Sequence, residues 1–193
     1  VYEAVEQWNA GALVNLMWHP CPPDQSEPCN WEGGVKSSLT SSQWNDLITN
    51  GTYLNNVWKQ RMDDIAVYLQ YLEDEGVEVL WRPLHEMNQG NFWWGGRPGP
   101  NGTRKLFEQM YDYMTYTKGL TNLIWTWDMQ DLGQGWNDYK PASNTWQVLA
   151  MDIYGSGHST SWYNYVKSVA DGKPIAIGEC WDLPTSSQLA TQD

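Results

Sequence analysis

The apolar and polar positions of this chain alternate between two periods. Residues 12–18 (Ala-Leu-Val-Asn-Leu-Met-Trp) form a short apolar run of the kind that makes a buried strand. Residues 57–75 carry Trp58, Met62, Ile65, Leu69 and Leu72 at alternating spacings of four and three, the stripe of an amphipathic helix, and Gly76 comes next as its stop. Residues 77–82 predict the next strand. A second helix is expected over 103–118, with Leu106, Met110, Tyr113 and Thr117 on one side and Gly119 as its end. Strand patterns recur at 122–127, 147–153 and 174–178, and a helix over 161–170 closes before Gly172. Five buried strands separated by helices or long connections imply a parallel sheet covered on its faces. The Gly/Pro/Asn stretch 95–102 predicts a surface loop, and the absence of any linker or short repeat makes residues 1–193 a single domain.

The residues just past each strand are more telling. His19 comes after the first; His85, Glu86 and Asn88 after the second; Asp128 after the third; Tyr154 and His158 after the fourth; Glu179, Trp181 and Asp182 after the fifth. Chemically capable side chains at every strand C-terminus are the signature of the active rim of a (β/α)8 TIM barrel. A whole barrel takes about 200–250 residues and eight strands. Five strands in an open sheet would leave apolar edges. The expected α/β fold is therefore an incomplete barrel that lacks early strands and the last one.

Composition sharpens the class of ligand. There are 14 Trp and 11 Tyr but only two Phe. A core does not require that bias, whereas a wet, concave binding surface uses an aromatic face with a polar handle. A net charge of −12 argues against nucleic acid, which demands a positive surface. No apolar run approaches the roughly 20 residues of a membrane span. A neutral polysaccharide suits an acidic protein.

Cys21 and Cys29 bracket a loop containing Pro22, Pro23 and Pro28 and predict a local disulfide; Cys180 is either free or bridges to a segment outside these residues. With the sequons at Asn50 and Asn101, the disulfide leans towards a secreted, glycosylated protein. No signal peptide is visible, and a start at Val1 is what removal of one would leave. Without Cys-x-x-Cys or clustered His, no metal and no organic cofactor are expected.

Glycosidic cleavage needs a carboxylic acid to protonate the leaving oxygen and a carboxylate to attack the anomeric carbon or activate water. Glu86, flanked by His85 and close to Phe92-Trp93-Trp94, has the surroundings of the acid, because partial burial raises a carboxyl pKa. Glu179, directly after Ile-Ala-Ile-Gly, is the nucleophile candidate, with Gly178 allowing a sugar or another backbone to approach. The bland alternative is that both glutamates merely pair with Arg82 and other cations. Arg82 is assigned to holding carboxylates by paired hydrogen bonds. His19, His85 and Asn88 are candidates for sugar hydroxyls or for bracing the site, and Tyr154 for a hydrogen bond to the nucleophile. Asp128 either caps the following segment or serves the site. Trp93, Trp94, Trp127 and Trp181 lie near strand exits as candidates for sugar binding, and some of them are expected to stack on sugar faces. Trp44, Trp58 and Trp162 on helices, and Trp81 and Trp125 inside strands, are expected in the core.

At Trp81-Arg82-Pro83-Leu84-His85-Glu86-Met87-Asn88, continued by Phe92-Trp93-Trp94-Gly95, the chain resembles family 26 of the glycoside hydrolases, most of whose known members are endo-β-1,4-mannanases. Val14-Asn15-Leu16-Met17-Trp18-His19-Pro20, Trp125-Thr126-Trp127, Asp152-Ile153-Tyr154-Gly155 and Ile177-Gly178-Glu179 are similar to other strand ends of that family, in the order of strands three to seven. The resemblance implies a retaining mechanism on β-mannan, with Glu86 as acid/base, Glu179 as nucleophile, His85 in the sugar site and Tyr154 beside the nucleophile. The chain departs from the pattern in one place: many family mannanases have Gly-x-Trp after the motif asparagine, and here Gln89-Gly90-Asn91 stands instead. The family's aromatic on the eighth strand also has no counterpart before Asp193. Two rival expectations remain, a glycan-binding protein without turnover and a same-fold enzyme acting on β-glucan or β-xylan.

Overall fold

A computed structural model describes residues 1–155 and 157–192. Five strands, β1 (Val14–Trp18), β2 (Val79–Pro83), β3 (Leu123–Gln130), β4 (Val148–Ile153) and β5 (Ile175–Cys180), pair in sequence order. Every pairing is parallel. Each crossover is long enough to return over the sheet, as parallel neighbours require. The curled five-strand sheet is a partial TIM barrel. The outer strands β1 and β5 each have a single neighbour, and Met17 and Ile177 on them are 40% exposed.

The helices are α1 (Tyr2–Asn9), α2 (Ser41–Ile48), α3 (Tyr53–Asp74), α4 (Thr103–Asp112), α5 (Thr160–Val169) and α6 (Ser186–Leu189). The stripe on α3 buries Trp58, Met62, Leu69 and Leu72 in the core, and Gly76, at φ 73°, turns the chain into β2. The helix expected over 103–118 is α-helical only to Asp112; Tyr113–Thr117 continue as one π-helical turn before Gly119 at φ 78°. α2 begins with a reciprocal capping box between Thr40 and Gln43. Trp44, Trp58, Trp81 and Trp125 lie in the core as expected, and Trp162 packs half-buried at its margin.

Cys21 and Cys29 form a disulfide in the loop after β1, and Cys180 is bonded to no cysteine among the described residues. Asn50 and Asn101 are both exposed. Among the described residues no helix is long and apolar enough to cross a membrane, and no group of three or more His, Cys, Asp or Glu is arranged to hold a metal ion.

Candidate active site

The C-terminal ends of the strands converge on one guanidinium. Arg82, near the end of β2, is 4% exposed and reaches across the inside of the curl. Its Nη1 donates to Asp128 Oδ2 on β3 at 2.8 Å and to Asp152 Oδ2 on β4 at 2.9 Å; its Nη2 donates to Glu179 Oε1 on β5 and to Met17 Sδ on β1 at 3.0 Å. All five strands thus meet at one side chain. Asp128 and Asp152 are fully buried, which is tolerable only because a cation and hydrogen bonds compensate them. The three carboxylates hold the Arg82 proton far more tightly than usual, against the opposing pull of burial. Three carboxylates face one cation, and burial together with the neighbouring Asp128 drives the Asp152 carboxyl upwards.

Gly178 is part of this arrangement. A Cβ there would lie 2.4 Å from Asp152 Oδ1, 2.7 Å from Asp128 Oδ2 and 3.1 Å from Arg82 Nη1. The glycine therefore makes room for the buried charge cluster. The expectation that it admits a sugar or another backbone is corrected. A register shift between Met151 and Asp152 sets Asp152 opposite Glu179.

Glu86 is placed by stitching the segment after β2 onto the end of β3. The Glu86 amide donates to Asp128 Oδ1 at 2.9 Å, and the Met87 amide to the Asp128 carbonyl at 3.3 Å. Asn88 bonds Gln130 twice, its Nδ2 to the carbonyl at 2.7 Å and its Oδ1 from the amide at 2.9 Å. To make these bonds, Leu84 and Glu86 adopt φ 52° and 51°, a region that non-glycine residues enter at a cost of about 1–3 kcal/mol and that clusters at functional sites. Asp128 thus ties the backbone of Glu86 to Arg82, and Arg82 ties Asp128 to the carboxylate of Glu179.

The two glutamates feel opposite pressures. Burial raises the Glu86 carboxyl to about 7; the hydrogen bond from Gln89 opposes this, while the charges of Asp128 and Glu179 reinforce it. Burial also works upwards on Glu179, but hydrogen bonds from the Tyr154 hydroxyl to Oε2 and from Arg82 to Oε1 outweigh it and hold the carboxyl below its ordinary value. Tyr154 in turn keeps its proton more firmly than a free phenol, through partial burial and that same bond. His85, 2% exposed, is pushed down to about 4 by burial and stays neutral near pH 7. His19, half-buried and 4.7 Å from the His85 ring, is lowered by burial too.

Several expected contacts are corrected. Trp93, Trp94 and Trp127 are at most 1% exposed and belong to the core, so none presents a face to a sugar. The indole N–H of Trp93 donates to the Pro20 carbonyl at 2.8 Å and that of Trp94 to the His85 carbonyl at 2.9 Å. Trp127 packs edge-on against Trp136 and Trp146. Asn88 braces the loop. Trp181 is 79% exposed, with its ring edge-on to Tyr154 at 5.2 Å, and so stands beside Glu179.

Four residues at the site escape assignment from sequence. Asp152 is legible only as an acid inside an apolar strand. Asp128 reads equally well as a cap and as a site residue. Gln89 gives no signal beyond its departure from the family pattern. Trp31, 47% exposed and edge-on to His19 at 5.1 Å, lies just beyond the disulfide loop, where no periodicity marks it. Trp31 beside His19 and Trp181 beside Tyr154 are the exposed tryptophans in contact with these rim residues.

Together these features define a (β/α)-barrel protein whose paired glutamates are held at the C-terminal rim by a buried arginine–carboxylate hub. A family model for Glycosyl hydrolase family 26 matches residues 1–186, and the chain belongs to that family. It is 31% identical to a mannan endo-1,4-beta-mannosidase of Thermothelomyces thermophilus over 98% of this chain and 39% of that protein. The structure of GH26A from Muricauda sp. MAR_2010_75 superposes with a TM-score of 0.95 at 36% identity, over 99% of this chain and 65% of that one. A beta-mannanase from a symbiotic protist of the termite Reticulitermes speratus, solved with gluco-manno-oligosaccharide, gives a TM-score of 0.83 at 31% identity, over 98% and 59%. The chain therefore spans between about two fifths and two thirds of the length of these relatives.

Proposed function

We propose that this protein is a retaining endo-glycoside hydrolase that cleaves β-1,4-mannosidic bonds, with Glu86 as acid/base and Glu179 as nucleophile. The observation that carries the reading is two strand-end glutamates tied to one hub, Glu86 through its amide on Asp128 and Glu179 through Arg82 and Tyr154; burial raises Glu86 to about 7 while those bonds hold Glu179 low. A pair of carboxyls pushed apart in this way has an acid and an anion available at the same pH. In the first step, Glu86 donates its proton to the glycosidic oxygen as a Glu179 oxygen attacks the anomeric carbon; the C–O bond breaks and a glycosyl ester forms. In the second, the Glu86 carboxylate takes a proton from water, the water oxygen attacks the anomeric carbon, and the ester opens to return the Glu179 carboxylate. Tyr154 and Arg82 hold Glu179 for attack, and neutral His85, packed against His19, Phe92 and Trp94, lies beside Glu86 as the candidate sugar-site histidine.

Mannan as substrate is supported by the names of the relatives, and a polysaccharide by the exposed Trp31 and Trp181, which contact His19 and Tyr154. Export is supported by the Cys21–Cys29 disulfide, with Asn50 and Asn101 as exposed acceptors for glycans. Reducing-sugar release from a panel of β-mannan, β-glucan and β-xylan tests the reading. The expected result is turnover on mannan, lost in Glu86→Gln while mannan binding persists. Binding without turnover in the unmutated protein overturns it in favour of a lectin-like role, and turnover on glucan or xylan alone overturns the substrate.

A further inference from the structure

Gln89 sits three residues beyond Glu86 and is 8% exposed. Its side-chain amide has a fixed direction. Oε1 accepts from the backbone amide of Asn91 at 3.2 Å, so Nε2 is the end that faces Glu86, and it donates to Glu86 Oε2. The backbone around it is equally fixed. The Gln89 amide donates to the Glu86 carbonyl at 3.0 Å, closing a turn. A Cβ on Gly95 would lie 2.1 Å from the Gln89 carbonyl oxygen, and one on Gly96 would lie 3.0 Å from the Gly90 Cα. Two glycines thus let the 95–96 backbone press directly on residues 89–90, leaving the turn no room to move.

We propose that Gln89 is a positioning residue for the acid/base: its clamped amide holds the Glu86 carboxyl in place and stabilises the deprotonated form that the second step of the reaction requires. The chemistry is one-sided. A carboxamide nitrogen offers only N–H donors, and a carboxylate accepts them better than a carboxylic acid does. The groups that face Glu86 from other elements are Asp128 on β3, Glu179 on β5, Arg82 on β2 and Tyr154 after β4. Asp128 and Glu179 disfavour its negative charge, and burial does so more strongly; Arg82 and Gln89 favour it. Of the two, Arg82 is committed by direct bonds to Asp128, Asp152 and Glu179, whereas Gln89 bonds the Glu86 carboxyl itself. A carboxyl with burial alone acting on it would be a good acid for the first step and a poor base for the second. Gln89 is what balances the two duties.

The proposal rests on the acid/base reading of Glu86, and its test separates the two. Gln89→Met keeps the length of the side chain and removes the donor. Two measurements are made on the protein and the variant: a 13C NMR titration of the Glu86 carboxyl, which needs no turnover, and the pH profile of kcat/KM. Folding of the variant is checked by near-ultraviolet circular dichroism. The expected result is a rise of about one pH unit in the Glu86 titration, the size expected when a hydrogen bond to a charged group is lost, matched by the basic limb of the profile. With an aryl glycoside whose leaving group departs unaided, kcat at pH 7 falls while KM falls with it, because the glycosyl ester accumulates. An unchanged Glu86 titration in the folded variant overturns the role of Gln89. A shifted titration with an unshifted basic limb overturns the acid/base assignment on which it rests.

Discussion

Replacing Gly178 by alanine adds one methyl group where three charged atoms already stand. Ordinary contact begins at about 3.4 Å. The new Cβ would lie 2.4 Å from Asp152 Oδ1 and 2.7 Å from Asp128 Oδ2, so these oxygens would have to retreat by about 1.0 and 0.7 Å. Neither has a free direction, because both side chains are fully buried and both bond Arg82 Nη1 at 2.8–3.1 Å. Overpacking alone costs about 1–3 kcal/mol. If Asp152 loses Arg82, the figure moves towards the roughly 3–5 kcal/mol of a broken buried pair. Against a total stability of about 5–15 kcal/mol that is a large fraction. At about 2–4 °C per kcal/mol, a loss of about 3 kcal/mol lowers Tm by roughly 6–12 °C. The shift also displaces the guanidinium that binds Glu179, so kcat falls in the surviving folded fraction. Calorimetry and initial rates on Gly178→Ala check both. A variant within about 0.5 kcal/mol of the parent, with unaltered kcat, would refute the claim that this glycine exists to admit the hub.

The glutamates lead to two further outcomes. The pH profile of kcat/KM is predicted to be bell-shaped, with a basic limb near 7 as Glu86 loses its proton and an acid limb below the ordinary carboxylate range as Glu179 gains one; a basic limb above about 9 would contradict the assignment of Glu86. Stability should carry the mark of the same residue. Folded Glu86 keeps a proton up to about 7 that the unfolded chain releases near 4.5, so its contribution is intact below 4.5 and lost as pH rises through 7. Glu86→Gln is therefore predicted to match the parent at about pH 4 and to exceed it by roughly 1–3 kcal/mol at about pH 8, allowing for solvent screening. Denaturant unfolding at the two pH values checks this, and a difference that does not depend on pH would count against it.

Much of the architecture can be read from the chain because parallel strands buried on both faces leave continuous apolar runs. All five strands fall within a few residues of their expected ranges, and the glycines at 76 and 119 mark the helix ends they are expected to mark. α1 escapes notice because it is eight residues long and only Ala4, Val5 and Trp8 pack, half-buried, against the core. α2 does not stand out although Thr40 and Gln43 spell a capping box, because its eight residues are too few for a clear period. The π-helical turn at Tyr113–Thr117 still buries Met114 and leaves no trace in the pattern.

At the site, position at a strand end is a good guide to which residues gather and a poor guide to which way they point. Trp93 and Trp94 lie close after the glutamate, yet the loop folds back and buries both indoles with their N–H groups satisfied by the Pro20 and His85 carbonyls. Glu86 and Glu179 are visible as strand-end acids. Burial of Glu86 and the Tyr154 bond to Glu179 are expected from the sequence; the hub of Asp128, Asp152 and Arg82 meeting from three strands is not, because no local spacing encodes so long-range an arrangement.

The division of labour between the glutamates is tested most directly by trapping the first step. A 2-deoxy-2-fluoro mannoside with a good leaving group slows ester hydrolysis more than ester formation. Digestion and mass spectrometry after incubation should then find the sugar on the peptide containing Glu179, with the label absent in Glu179→Gln. A sugar carried by any other residue would contradict the account, as would a first-formed product of inverted configuration with no adduct.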